Sequence, residues 1–284
     1  MKVFEKAYLL NKEIEHLKSK GFKIGFIPTM GALHKGHLSL IDAARKKNDI
    51  VVASIFVNPT QFNNPDDLKN YPRDLDTDLK LLEENHCDLV FTPTVNEIYP
   101  DENAKKTNYD FGKIVKIMEG KFRPGHFNGV ANVVSRLFKI VQPHNAYFGQ
   151  KDFQQYILIK TLANKYLSEL EINVVRCPII REPDGLAMSS RNVLLNPEQR
   201  KSSALISKTL FWAKDHYKNY DVDDLKQEII KKINADKNLD VEYIEFVTDP
   251  ELDEVKQWND AKETVACIAV QVGKVRLIDN VYFN

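Results

Sequence analysis

The 284-residue sequence is missing several features by which a protein announces its partners. It has no excess of charge of either sign, since 40 Lys and Arg balance 40 Asp and Glu. No global field draws it to nucleic acid or to an anionic membrane, so any phosphate binding has to come from a local site. No apolar stretch approaches the roughly 18 to 20 residues that a membrane-spanning helix needs. The N-terminal segment lacks the basic-then-apolar pattern of a secretory leader. Cysteine is scarce: Cys87, Cys177 and Cys267 are far apart, odd in number and in no CxxC pair. Set in apolar, strand-like sequence, they read as buried thiols, which points to a reducing compartment, the cytoplasm. Neither GxxxxGK[ST] nor GxGxxG occurs, so the P-loop and the dinucleotide fingerprint are both excluded. No internal repeat is visible.

What is present is alternation. Residues 22–27 predict a strand, and residues 36–47 a helix from the spacing of Leu38, Leu40, Ile41 and Ala44. Residues 50–57 (IVVASIFV) are almost wholly apolar, the pattern of a strand covered on both faces. Residues 71–84 predict a charged helix carrying Leu75, Leu79 and Leu82, and residues 87–91 the next strand. After an irregular stretch, residues 130–141 predict a helix, 146–148 a short strand, 153–166 a helix and 172–177 a closing strand. Such alternation predicts an α/β fold, a doubly wound parallel sheet with its ligand site at the carboxyl ends of the strands. Beyond it, helices over 197–217 and 222–235 precede strands over 241–247, 264–272 and 275–281, which predicts a smaller C-terminal α+β domain. The turn chemistry of Cys177-Pro178 and of residues 181–185 (REPDG) sets the expected domains at 1–180 and 181–284.

The densest chemical signal is PTMGALHKGHL, residues 28–38, directly after the 22–27 strand. His34 and His37 sit at a loop-to-helix junction with Gly31 and Gly36 beside them. Backbone N–H groups at a helix N-terminus favour phosphate, and glycine lets that phosphate come close. Imidazoles there can donate to phosphate oxygens as a leaving group departs. A structural His at a helix start and a metal-binding pair are the alternatives, but no third metal-ligating cluster lies nearby in sequence.

This HxGH resembles the signature of the nucleotidyltransferase superfamily that includes the class I aminoacyl-tRNA synthetases, and implies a Rossmann-like fold. The longer string PTMGALHKGHLSLI, residues 28–41, resembles the pantothenate synthetase (pantoate–β-alanine ligase) family. The resemblance continues in FVNPTQF (56–62), YPR (71–73), RPGHFNGV (123–130), GQKDFQQ (149–155) and MSSRN (188–192). It implies an ATP-dependent ligase that joins pantoate to β-alanine through a pantoyl-adenylate, releasing AMP and pyrophosphate, with Mg²⁺ bridging the phosphates and no dedicated protein metal site. It also implies a homodimer, without nucleic-acid or membrane partners.

By the same resemblance, ATP is contacted by Met30, Gly31, Ala32, Leu33, His34, Lys35, Gly36 and His37, by Gly149, Gln150, Lys151 and Asp152, and by Ile180, Met188, Ser189, Ser190 and Arg191. His34, His37, Lys151 and Arg191 form the implied catalytic set. Gln61 and Gln155 are implied to hold the pantoate hydroxyl and carboxylate, with Asn58 near the amine. Physical chemistry agrees with these residue types. Neutral amides pair with hydroxyls and carboxylates without a competing charge, although Asn58 could simply cap a strand end. Lys151 suits phosphate oxygens, and Asp152 can accept from ribose hydroxyls or act as a plain N-cap. Ser189, Ser190 and Arg191 stand where the synthetases carry the KMSKS loop, with hydroxyl donors and a cation for the β and γ phosphates. Arg123, in a glycine-rich segment with His126, reads equally as a substrate-side wall or a structural turn, and the polar residues 63–70 as a flap. A non-catalytic RNA-binding module of the same fold is disfavoured, because the phosphate-facing residues are all present and the second domain has no basic cluster.

Overall fold

A computed structural model describes residues 1–101 and 107–283. The chain divides into two compact units, one of Met1–Gly149 with Gln154–Pro178, the other of Gln150–Phe153 with Ile179–Asn284. In chain order the first unit begins with β1 (Lys2–Phe4), α1 (Ala7–Ser19), β2 (Ile24–Thr29), α2 (Lys35–Arg45) and β3 (Ile50–Ile55). It continues through α3 (Pro65–Asn70), α4 (Leu75–Glu84), β4 (Leu89–Phe91), α5 (Val95–Ile98), α6 (Met118–Phe122) and α7 (His126–Val141). β5 (Asn145–Gly149), α8 (Phe153–Tyr166) and β6 (Asn173–Cys177) close the series.

The six strands form one sheet in the order β1-β4-β3-β2-β5-β6, with every pairing parallel. A parallel sheet needs helices on both faces, so its central strands are apolar throughout. Phe26, Ile27, Val51, Val52, Ala53, Val90 and Phe91 are all fully buried. The order reverses at β2, which has β3 on one side and β5 on the other. At such a switch point the loops leave in opposite directions and open a crevice at the carboxyl ends. Pairing of β2 with β5 covers only Gly25 and Phe26, so the two carboxyl ends beyond are not tied together. The fold is the doubly wound, Rossmann-like sheet expected from the alternation, flanked in sequence by a smaller α+β unit.

Several boundaries differ from expectation, each for a physical reason. β1 and α1 were not foreseen, so the strand expected over 22–27 is the second along the chain rather than the first. The helix expected from residue 71 begins at Leu75. Asp74 caps it by accepting from the Thr77 N–H, while Tyr71 is held in extended backbone before Pro72 and packs edge-on to Phe62. The helix expected from residue 130 begins at His126, after Gly125 in the left-handed region at φ +82°. Gly129 reads in sequence as a turn residue but lies inside this helix, because a Cβ there would meet the Thr60 carbonyl oxygen at 2.4 Å. The stretch expected to be irregular holds α5 and α6, with residues 102–106 outside the described residues. The polar segment 63–70 contains α3, capped by Asn64.

In the second unit, α9 (Pro197–His216) and α10 (Val222–Asn234) precede β7 (Leu239–Thr248), β8 (Thr264–Val272) and β9 (Val275–Tyr282), which form an antiparallel sheet in that order. Leu210, Leu225, Ile229, Phe246, Ile268 and Val270 lie in its core. Cys87, Cys177 and Cys267 are buried thiols outside any disulfide, as the sequence implied. Burial pushes the Cys87 thiol up to about 12, so it remains an inert thiol at neutral pH. Among the described residues, no helix is long and apolar enough to cross a membrane.

Candidate active site

In the first unit, β2 delivers its chain into a loop whose shape is set by a side chain from far away in sequence. Thr29 at the strand end donates its hydroxyl to the Ser54 carbonyl at 2.7 Å and accepts from the Gly31 N–H. Gly31 then takes φ +81° and Ala32 φ +50°, conformations that L side chains rarely adopt. The carboxylate of Asp78, on α4, compensates by accepting the Ala32 N–H at 2.9 Å and the Leu33 N–H at 2.7 Å. Glycine is required at 31 for a second reason: a Cβ there would come within 2.7 Å of the Asp78 carboxylate. Asp78 is 2% exposed. Burial pushes its carboxyl above the ordinary range, and the two N–H donors pull it back.

The loop ends on α2, whose N-cap is His34. The Gly36 N–H reaches His34 Nδ1 at 3.1 Å, and the His34 N–H reaches His37 Nδ1 at 3.4 Å. The two imidazoles thus form a reciprocal capping box, a role usually taken by Ser or Thr with Glu. With Nδ1 accepting, each neutral ring carries its proton on Nε2. The rings lie with centroids 4.2 Å apart, so the site presents two imidazole donors at a helix N-terminus. Both are half-buried, whereas Lys35 between them is exposed.

After β3, Asn58 opens a 3₁₀ turn over Pro59–Gln61. Asn58 is 1% exposed, and every polar valence of its amide meets protein. Its Nδ2 donates to Gln61 Oε1 at 3.1 Å and to the Gly129 carbonyl at 3.2 Å. Its Oδ1 accepts from the Thr60 N–H, the Thr60 hydroxyl and the Tyr99 hydroxyl. The turn is also pinned by His126, whose Nδ1 lies 2.8 Å from the Gln61 carbonyl oxygen. Gln61 Nε2 reaches Met30 Sδ at 3.1 Å, so the amide turn and the imidazole loop are brought together within this unit.

Gly149 ends β5, next to β2 in the sheet, and Gln155 is half-buried in the first turn of α8. The adjacent Gln154 is structural, giving its amide to the Ile114 and Ile117 carbonyls and accepting the Glu119 N–H. Arg123 donates to the Glu119 carboxylate at 3.4 Å, and its carbonyl receives the His126 N–H.

The remaining candidates fall in the second unit. Lys151 Nζ lies 3.1 Å from the Asp152 carboxylate, and Asn280 on β9 donates its amide to the Gln150 and Lys151 carbonyls at 2.9 and 3.0 Å. Gln150 returns a bond to Asn280 Oδ1 at 3.1 Å. Ile180 accepts the Met188 N–H, and Ser189 caps a 3₁₀ turn that begins at Ser190 by accepting the Arg191 N–H at 3.2 Å. Arg181 makes a two-pronged pair with buried Asp279 at 2.7 and 2.9 Å, tying the 181–187 turn to β9. Asp78, Tyr99 and Asn280 were not anticipated. Their partners lie 46, 41 and 130 residues away, and only the fold discloses them.

Comparison with known proteins agrees with this geometry. The family described as Pantoate-beta-alanine ligase matches residues 2–282. A pantothenate synthetase of Azobacteroides pseudotrichonymphae is 46% identical over the full length of both chains. That of Acetivibrio thermocellus is 47% identical over 99% of each. The crystal structure of pantothenate synthetase from Thermus thermophilus superposes with a TM-score of 0.90, at 37% identity over 99% of each chain. A pantoate-beta-alanine ligase from Francisella tularensis, solved with beta-gamma ATP and beta-alanine, gives a TM-score of 0.83 at 38% identity, covering 99% of this chain and 97% of that one. A switch-point loop with two capped imidazoles, matched along its whole length to these proteins, places the chain in the pantoate–β-alanine ligase family of enzymes.

Proposed function

We propose that the chain condenses pantoate with β-alanine to pantothenate, using ATP and passing through a pantoyl-adenylate. One observation carries the reading: both imidazoles of the HxGH loop accept backbone N–H groups on Nδ1, so both offer Nε2–H at a helix N-terminus. That arrangement suits charge building on phosphate oxygens and leaves no base there to compete for water.

The chemistry divides into two steps. A pantoate carboxylate oxygen attacks the α-phosphorus, the bond from that phosphorus to the bridging oxygen breaks, and pyrophosphate leaves with the electron pair. The amine of β-alanine then attacks the acyl carbonyl, the bond to the AMP oxygen breaks, and the amine loses a proton. A carboxylate alone would have to expel oxide, whereas AMP is a good leaving group. The protein's work is positioning and charge stabilisation. His34 and His37 donate to phosphate oxygens, and Lys151, Ser189, Ser190 and Arg191 serve the triphosphate. Met30–Leu33, Gly149, Gln150, Asp152, Ile180 and Met188 hold the nucleotide, while Gln61 and Gln155 hold the acid, with Asn58 and Arg123 beside them.

Mg²⁺ bound to the triphosphate would neutralise part of its charge. Among the described residues, no cluster of three or more His, Cys, Asp or Glu could hold a metal ion. Three buried thiols outside any disulfide accord with the cytoplasm, and the family resemblance implies a homodimer.

The decisive experiment supplies ATP, β-alanine and pantoate labelled with ¹⁸O in its carboxylate, and reads the products by mass spectrometry. One label should appear in AMP. Unlabelled AMP, or ADP with inorganic phosphate, would eliminate the adenylate route.

A further inference from the structure

Gln61 can serve an acid only if the correct end of its amide faces the ligand, and nothing in Gln61 itself decides this. The decision is made by Asn58, and the hydrogen bonds around it leave no freedom. The Thr60 N–H can only donate, so the Asn58 atom it meets at 3.3 Å must be the oxygen. The Gly129 carbonyl can only accept, so the Asn58 atom 3.2 Å from it must be the nitrogen. These two backbone groups identify which end of the Asn58 amide is which, and the hydroxyls of Thr60 and Tyr99 share in holding it there. The second hydrogen on that nitrogen points at Gln61, whose facing atom at 3.1 Å must then be Oε1. The Gln61 NH₂ is thereby turned the other way, toward Met30 in the loop that carries His34 and His37.

The far side of Asn58 is closed by Tyr99, which is 3% exposed and lies 41 residues away. Its hydroxyl stands 2.9 Å from Asn58 Oδ1, an atom already shown to be an acceptor, so the phenol donates. Burial pushes the Tyr99 phenol above its ordinary value, so the proton stays in place. The Arg136 guanidinium lies 5.6 Å from the ring centroid, holding the ring from its face. The Thr60 hydroxyl, 3.3 Å from the phenol and 3.0 Å from Asn58 Oδ1, completes the cluster.

We infer that Tyr99 is a positioning residue for acid recognition: by donating to Asn58 Oδ1 it steadies the amide that holds Gln61 with Oε1 toward Asn58 and NH₂ toward Met30, so that the site offers donors and selects an anionic, hydroxyl-bearing acid. The inference rests on the reading of Gln61 as a pantoate-holding residue. Tyr99 touches no substrate, and its effect travels through one intervening amide.

The test is a double-mutant cycle on the full chain with Tyr99→Phe and Gln61→Ala, reading KM for pantoate and KM for ATP separately. Tyr99→Phe keeps the ring and deletes only the donor, and should raise the pantoate KM about fivefold, the loss typical of one neutral hydrogen bond. The ATP KM should not move. In the Gln61→Ala background the same substitution should add nothing, because the amide it aims is gone. Thermal unfolding of each variant separates misfolding from misaiming. An unchanged pantoate KM in Tyr99→Phe, or an effect that persists in full without Gln61, overturns the inference. If Gln61→Ala itself binds pantoate normally, the underlying reading of Gln61 fails instead, and the inference falls with it.

Discussion

The candidate groups of the two units differ in kind. In the first unit the imidazoles of His34 and His37 and the amides of Asn58 and Gln61 are directional groups, each oriented by a hydrogen-bond partner in its surroundings. In the second unit the candidates include the cations Lys151 and Arg191, with Asn280 fixing the backbone of Lys151 rather than its ammonium. A reversed amide or imidazole presents an acceptor where a donor was needed. An ammonium donates in three directions and needs only to be near. Directional recognition therefore demands a scaffold that aims, and charged recognition a scaffold that delivers.

Three substitutions bear on this contrast. The largest effect is expected at His37→Ala, which removes an aimed donor from the proposed phosphate site. Turnover should fall by roughly 10²- to 10³-fold, measured as AMP release at saturating substrates. Near-normal turnover would remove His37 from the chemistry.

Asp78→Ala asks whether the aiming itself matters, since Asp78 meets the loop only through backbone. Two part-buried N–H groups lose their acceptor, at about 1 to 3 kcal/mol each, so denaturant unfolding should show a loss of roughly 2 to 6 kcal/mol. Turnover of the molecules that remain folded should drop about tenfold, because a misplaced donor costs catalysis as well as stability. A variant that is destabilised yet fully active would show that the loop needs no aiming.

The smallest effect concerns two carboxylates with opposite surroundings. Asp184 receives two hydrogen bonds from Arg200 at 2.6 and 3.2 Å, and these hold its carboxyl below the ordinary range. A depressed carboxylate contributes stability above its unfolded value, near 3.8, that is lost as pH falls through its folded value. Asp78 is raised by burial, so its ionisation opposes folding and that penalty is relieved as pH falls. Asp184→Asn should therefore flatten the acid-side loss of stability. The effect should be about 0.5 kcal/mol, because the pair is about a third exposed and screened by solvent, and added salt should mimic it. An acid limb unchanged in the variant would leave Asp184 without a share in it.

Much of the candidate site was legible because the residues proposed for it travel in short strings at strand ends. An apolar run such as 50–57 reports a doubly covered strand, and the polar residues just past it, Asn58 and Gln61, report what stands at that strand's carboxyl end. The partners that aim them were not legible. Asp78 reads in sequence as one acid among several on a charged helix, and Tyr99 as an aromatic in an irregular stretch. Each gains its place from a contact distant in sequence that no local pattern encodes. The N-terminal strand and helix escaped notice for a related reason. Lys2–Phe4 is only three residues long, and its parallel partner, β4, lies some ninety residues on.

Gly129 gives the fold leverage over the placement of Gln61. The turn bearing Gln61 lies directly on the backbone of α7 at this glycine, with no side chain between them. The thickness of a single residue on a buried helix thus sets how closely the Gln61 turn approaches α7. Any side chain at 129 would have to push that turn away from the helix, so where Gln61 stands depends on volume at a residue outside the candidate set itself.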